Sequence, residues 1–367
     1  MTDSRLKLLL VVALVFSGLM FSSSVKAERV NDLYTATWPV ESQATSVRAQ
    51  AIQNSLQQAL IRASGNLNVA RSPAVQSALS DAESYLRRYS YQRLSAEEQM
   101  IYEKPLLLKA TFDRQSIISL LKSASLPIWG EERPSGVFWI AVERAGERRV
   151  ASDQSRSIKA ALEIAAGSRG LPVTLPLMDM DDQAALEVSD VWGRFEAPLQ
   201  EATQRYGTDY WVAASLQERN GQWQGTWKVS LHGRTQSFST TGLTSYEAIQ
   251  GAVNRVADSL ASKLAVVLSE QAQDVTISVE NIQDFEAFAK VQKFLNSLGM
   301  VRSASAVEVS GDRVLFKVES LTSPQNLIEA IKLGNNLQRS EPSFGGFENS
   351  GEQLRGDFHF VWGQPQI

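Results

Sequence analysis

The run VFWIAV, residues 137–142, decides how this chain is read. Six consecutive apolar residues with no polar alternation describe a strand buried in a core rather than one with a wet face. A second run of the same character, TDYWVAASL, follows at 208–216. Between them Ser155 to Ala166 has a helical pattern, and Ala197 to Tyr206 has another. GQWQGTWKVSLHG at 221–233 places Trp223, Gly225, Trp227, Val229 and Leu231 on one face of a strand. A hairpin partner at 234–240 completes an antiparallel edge, and a long helix over Thr244 to Glu270 closes the unit. The expectation for residues 131–272 is a mixed sheet with helices.

Upstream, LPIWGEERPSG at 126–136 mixes Pro, Gly and charge and reads as a domain boundary. Residues 28–130 read as a βαββα unit. LYTATWPV is a strand, and Ala44 to Ala63 is an amphipathic helix stopped at Gly65. A shorter helix starts at Pro73 with Ser72 as its N-cap. YLRRYSYQRL and EKPLLLKATF pair as strands, with Leu106, Leu108, Ala110 and Phe112 on one face, and Asp113 caps a last helix. Downstream, residues 273–367 read as a ferredoxin-like βαββαβ unit. Its parts are DVTISVENI, a helix from Gln283 to Leu298, the hairpin SAVEV/RVLFKV, a helix from Pro324 to Leu333, and DFHFVW behind the polar loop SEPSFGGFENSGEQ. The fold class is therefore α/β (α+β), with three compact units in series.

The first 27 residues stand apart. Arg5 and Lys7 precede an apolar run from Leu8 to Phe21, and small residues follow up to Ala27. This is the form of a secretory signal peptide cut after Ala27; a run of about 14 residues is short of the ~20 that a spanning helix needs. Cleavage leaves 33 basic against 39 acidic residues, a net charge of −6, which speaks against nucleic acid as a partner. The chain has no cysteine, which excludes disulfides, thiol nucleophiles and a lipid-modified cysteine anchor. A periplasmic location is expected.

The segments YLRRYSYQ, RGLPVTLPLMD, DVWGRF, RYGTDYWVAASL and QWQGTWKVSLHG, in that order behind a signal peptide, carry a resemblance. Together they resemble the gammaproteobacterial family called domain of unknown function 2066, over most of the mature chain. That resemblance implies no activity, cofactor or catalytic residue. In pattern, the middle unit is similar to the α/β modules of envelope-assembly proteins. Examples are the amino-terminal domain of the Tol–Pal translocation protein B and the penicillin-binding-protein activators. The first unit is similar to the amino-terminal module of flagellar assembly protein T.

Motifs for chemistry are sparse. The only histidines, His232 and His359, lie far apart, so a histidine-based metal site is not expected. No zincin, nucleophile-elbow, Walker or dinucleotide motif occurs. SLLK at 119–122 matches S-x-x-K, but the S-D-N and K-T-G elements of penicillin-recognising enzymes are missing. The densest acidic stretch is GSRGLPVTLPLMDMDD, residues 167–182. Asp179, Asp181 and Asp182 suit a hard cation, yet the stretch lacks the register of a calcium loop. A structural reading accounts for every residue of it: a turn at Gly170, an extended segment, and a helix from Met180 to Val188 capped by Asp179. Trp211, Trp223 and Trp227 in neighbouring strands either stack on peptidoglycan sugars or pack beneath the long helix.

The reading that results is a non-catalytic periplasmic binding or scaffold protein for cell-envelope assembly or maintenance, with other envelope proteins as partners and no cofactor. A peptidoglycan binder using the aromatic residues is the alternative, and a cation-dependent hydrolase centred on Asp179–Asp182 is the third.

Overall fold

Residues 35–123 build a three-stranded antiparallel sheet covered on one face by helices. The computed structural model describes residues 28–30, 32–231, 233–269, 271–333, 337–340 and 356–363. Residues 1–27, read above as a signal peptide, His232 and residues 341–353 of the polar loop lie outside the described residues.

In the first unit the order is β1 (Thr35–Val40), α1 (Thr45–Ser64), α2 (Pro73–Ser80), β2 (Leu86–Arg93), α3 (Ala96–Tyr102), β3 (Leu106–Phe112) and α4 (Arg114–Ser123). β3 is the central strand, between β1 and β2. Its residues Leu108, Ala110 and Phe112 are buried with Ala51, Ile52, Leu56, Ala59 and Ala63 of α1. Lys109 and Thr111 alternate to the other face. α1 ends where Gly65 takes φ 69° and its N–H reaches the Ile61 carbonyl. Helix α3 lies between two strands read as a simple pair. Ser95 and Glu98 form a capping box there, a signal present in the sequence as S-A-E-E.

The middle unit runs β4 (Gly136–Arg144), β5 (Glu147–Val150), α5 (Arg156–Arg169), β6 (Val173–Thr174), α6 (Met180–Ala185), α7 (Val188–Gly193), α8 (Glu196–Gln204), β7 (Tyr210–Arg219), β8 (Gln222–Leu231), β9 (Arg234–Gly242) and α9 (Ser245–Leu264). The sheet order is β9-β8-β7-β4-β5, with β6 also on β4. β4 and β7 pair in parallel and the other neighbours in the main order are antiparallel. Both faces are covered, which is why VFWIAV carries no alternation. Phe138 and Ile140 pack under α5 and α9, whereas Val137, Trp139 and Ala141 pack under α6–α8. Gly225 is required in β8 because a Cβ there would stand 2.4 Å from the Trp227 indole nitrogen.

The third unit runs β10 (Gln273–Glu280), α10 (Phe285–Ser297), β11 (Val301–Ser310), β12 (Arg313–Ser320), α11 (Pro324–Leu333), β13 (Leu337–Arg339) and β14 (Phe358–Trp362). The order β11-β12-β10-β14 is that of the split βαβ unit, with β13 added at the edge. β13 pairs antiparallel with β14, and β14 runs parallel to β10.

The segment 126–136 is a junction rather than a loose linker. Pro127–Ile128 pairs with Val266–Val267, and Glu132–Arg133 pairs with Glu28–Arg29. Trp129 and Arg133 are fully buried. The apolar residues of the first and third units form one contiguous cluster that includes Ile128, Val266 and Leu268. The three main sheets are separate; the first and third units share one core, and the middle unit keeps its own on the two faces of its sheet. No helix among the described residues is long and apolar enough to cross a membrane.

Candidate functional site

A cleft of about 700 Å³ opens between the first unit and α5 of the middle unit. That volume is in the range of small-ligand sites. One wall is the uncovered face of the first sheet: Thr35 and Thr37 from β1, Gln92 from β2, and Leu107 and Lys109 from β3. The facing wall is α5, with Arg156, Lys159, Glu163 and Ser168. Glu97, Glu98 and Tyr102 of α3 close one end. Gln58 and Arg62, one turn apart on α1, complete the lining.

Most of these charges are already engaged. Lys159 pairs with Asp153, and Arg156 reaches Glu97 across the cleft at 3.8 Å. Glu98 accepts from the Ser95 N–H at 2.7 Å. Burial first, then Tyr246 and Glu98, raise the Tyr102 phenol above its ordinary value, so it remains a neutral donor.

Arg62 differs. It is nine-tenths buried; Nη1 donates to the Thr35 carbonyl, and Nε is buried without a partner. Burial pulls its guanidinium down to about 10, and Asp32 partly opposes this. Lys109, half-buried on the central strand, has no ion pair among the described residues.

Behind Arg62 lies the junction. Arg133 donates through Nε to the Gly130 carbonyl at 3.0 Å. Its Nη1 donates to Arg169 and Gly170 carbonyls at 2.8 and 3.2 Å, and its Nη2 to Arg62 and Trp129 carbonyls at 2.5 and 3.1 Å. Three of these acceptors belong to the C-terminal ends of α1 and α5, where the helix dipole is negative. The guanidinium also lies 3.9 Å from the centre of the Trp129 ring. Burial and the neighbouring Arg62 lower its affinity for a proton, while five carbonyls that accept from the charged form hold it protonated. Arg169, also buried, pairs with Asp258 at 2.7 Å and donates to the Gly65 carbonyl at 2.9 Å.

The sequence-derived candidates lie elsewhere and in two groups. Asp179 is the N-cap of α6, its Oδ1 accepting from the Asp182 N–H at 3.1 Å. Arg205 grips Asp179 bidentately, Nη1 to Oδ1 at 2.7 Å and Nη2 to Oδ2 at 2.9 Å, and donates through Nη1 to Asp182 Oδ1 at 2.9 Å. Asp182 is fully buried, and its Oδ2 accepts from the Met178 N–H at 2.8 Å and the Tyr206 hydroxyl at 2.5 Å. Only Asp181 points out, 85% exposed and 3.9 Å from Arg205. One expectation is corrected here: the capped helix ends at Ala185 instead of running to Val188. Asp182 stands in its first turn, where it is fully buried. A guanidinium occupies the centre of the carboxylates. Among the described residues, no group of three or more His, Cys, Asp or Glu is disposed to hold a metal ion.

Trp211, Trp223 and Trp227 form no exposed platform. They are 2%, 8% and 0% exposed. Trp223 and Trp227 pack under α9, whereas Trp211 lies on the opposite face against α8. Trp211 donates to Gln200 at 2.9 Å and Trp227 to Thr240 at 2.7 Å. The stacking surface expected by the glycan reading is thus core, because large aromatic residues bury where two helix layers cover a sheet.

Sequence reasoning missed the cleft. Its one visible signal was Lys109, a cation in the middle of the apolar strand PLLLKATF. Arg62 gave no signal, since a basic residue in the last turn of a helix is ordinary.

Residues 27–130 match the model of a domain of unknown function (DUF8605), so the sheet wall of the cleft lies within the matched part. This is another unknown-function family than the one the sequence resembles. A search of curated proteins finds no significant match. Among solved structures, the chain is similar to the Protein Y N-terminal domain of Thermus thermophilus. That match has 12% identity, covers 35% of this chain and 93% of that one, and has a TM-score of 0.18. It is also similar to the LpoB C-terminal domain from Salmonella enterica, at 12% identity, 30% and 82% coverage and a TM-score of 0.21. An uncharacterised protein matches at 11% identity, 35% and 88% coverage and a TM-score of 0.15.

Proposed function

We propose that this chain is an exported, non-catalytic binding protein of the cell envelope that holds part of a partner protein in the cleft between its first and middle units. The cleft itself carries the reading. It brings together open volume, hydrogen-bonding side chains and two cations without ion pairs among the described residues, Arg62 and Lys109. Of the residues that competed for a role, Asp179 and Asp182 are spent on internal hydrogen bonds and the three tryptophans are buried. The envelope location is supported by the basic, short-apolar, small-residue start of the sequence.

The test is site-specific photo-crosslinking in intact cells. Reactive residues at the positions of Gln92 and Glu163, on opposite walls, should capture the same partner, and one at exposed Glu218 should not. Equal capture from position 218, or none from the cleft, overturns the reading. Fractionation of the same cells should find the protein beginning at Glu28 in the periplasm. Membrane-bound protein that retains residues 1–27 overturns the location.

A further inference from the structure

Three guanidiniums converge at the inner end of the cleft, and their charges are not equally balanced. Arg169 has Asp258 at 2.7 Å. Arg133 has the C-terminal ends of two helices, each equivalent to about half a negative charge. Arg62 has the Thr35 carbonyl and, near it, the exposed carboxylate of Asp32, with which it forms no ion pair. One buried cation is therefore left short of an anion, and it lines open volume. Lys109, on the sheet wall of the same cleft, adds a second cation without an ion pair.

We infer that the cleft takes the carboxylate at the C-terminus of an extended peptide, with Arg62 and Lys109 as its anchors. The inference rests on the binding reading above and names its ligand. A planar carboxylate is what a guanidinium recognises through paired N–H donors. The rest of the lining favours a peptide over a more highly charged anion. Glu163 and Asp32 stand without ion pairs and repel a doubly charged phosphate about twice as strongly as a singly charged carboxylate. Gln58, Gln92, Thr37 and Ser168 offer amide and hydroxyl groups suited to a peptide backbone. The neutral Tyr102 phenol adds a donor at the α3 end. The volume accommodates a few residues, with the remainder of the segment leaving the cleft.

The experiment uses ¹⁵N-labelled protein purified from the periplasm and two random tripeptide libraries, one with free C-terminal carboxylates and one with C-terminal amides. The free-acid library should shift the backbone amides of Thr37, Gln92, Lys109 and Glu163 saturably. The amide library should bind at least about tenfold more weakly, since a hydrogen bond to a charged group is lost. Lys109→Gln should weaken the free-acid library by a similar factor while melting like wild type. Arg62→Lys, which keeps the charge but loses the fork, should weaken it as well. Equal binding of acid and amide, tighter binding of inorganic phosphate or glucuronate, or no saturable shift overturns the peptide assignment. If that happens while positions 92 and 163 still capture one partner in cells, the binding reading stands and only the ligand class falls.

Discussion

Two arginines, Arg133 and Arg205, organise the middle unit from opposite sides of its sheet, and they are neutralised in different ways. Arg133 is completely buried, and backbone carbonyls of the junction and of two helix ends accept from it. Arg205, a third exposed, holds Asp179 and Asp182. Carbonyls do not titrate and belong to elements from two units. Carboxylates do titrate, and these two stand only three residues apart. The first site should therefore be essential to the whole structure and indifferent to acid, and the second local and acid-sensitive.

The largest effect is expected at the junction. Arg133→Leu leaves five carbonyl interactions unmade in a buried place and should cost about 3–5 kcal/mol in urea unfolding. Because α1 and α5 lose a common anchor, the first and middle units should be destabilised together. A loss below about 1 kcal/mol, within the range of a surface contact, would break the contrast.

Next comes Asp182→Ala. It strips the acceptor from the Met178 N–H and the Tyr206 hydroxyl, and should cost about 1–3 kcal/mol. The Tyr206 phenol, raised by burial and by its bond to Asp182, should then ionise at lower pH, readable by ultraviolet titration. An unchanged phenol would mean that the carboxylate matters only as filler.

These two sites also show what was legible. VFWIAV, the helix stop at Gly65 and the caps at Asp113 and Asp179 depend on neighbours in sequence, and each appears where local chemistry places it; Ser72 stands at its N-cap position without a side-chain hydrogen bond. Asp182 meeting Tyr206 and Arg205 depends on a return of the chain more than twenty residues later, and Arg133 meeting Arg62 spans 71. Pro, Gly and charge at 126–136 mark a break in pattern, but composition does not tell an exposed hinge from a buried crossing. The cleft has the same origin: it lies between two surfaces, each of which alone looks like an ordinary polar face.

A third, smaller effect separates the sites by pH. The Arg205 hydrogen bonds, then the Asp182 N–H, hold the Asp179 carboxyl far below the usual carboxylate range. Its folded value lies below the unfolded one of about 4, so its stabilising contribution is complete above pH 4 and is lost as pH falls from there toward the folded value. The melting-temperature gap between wild type and Asp179→Asn should therefore narrow between pH 6 and pH 2.5. The gap for Arg133→Leu should hold over the same range, since its acceptors stay unchanged. A constant gap for Asp179→Asn would show that capping alone, without the ion pair, explains that residue.

The smallest effect is expected at Asp181, and it decides between a knot and a cation site. Its side chain is exposed and only approaches Arg205 at 3.9 Å, so Asp181→Asn should leave the melting temperature unchanged. A divalent ion would have to displace a bidentate guanidinium from Asp179 and enter beside a buried Asp182 whose second oxygen already accepts two hydrogen bonds. Millimolar magnesium or calcium should then leave wild type and both asparagine variants, at 179 and 181, melting as they do in chelator. If instead the ion raises the wild-type melting temperature and either variant abolishes the rise, the ligand is stabilising the folded state by mass action. Arg205 would then be a movable lid over the carboxylates rather than their permanent partner, and the contrast with Arg133 would become one between a fixed cation and an exchangeable one.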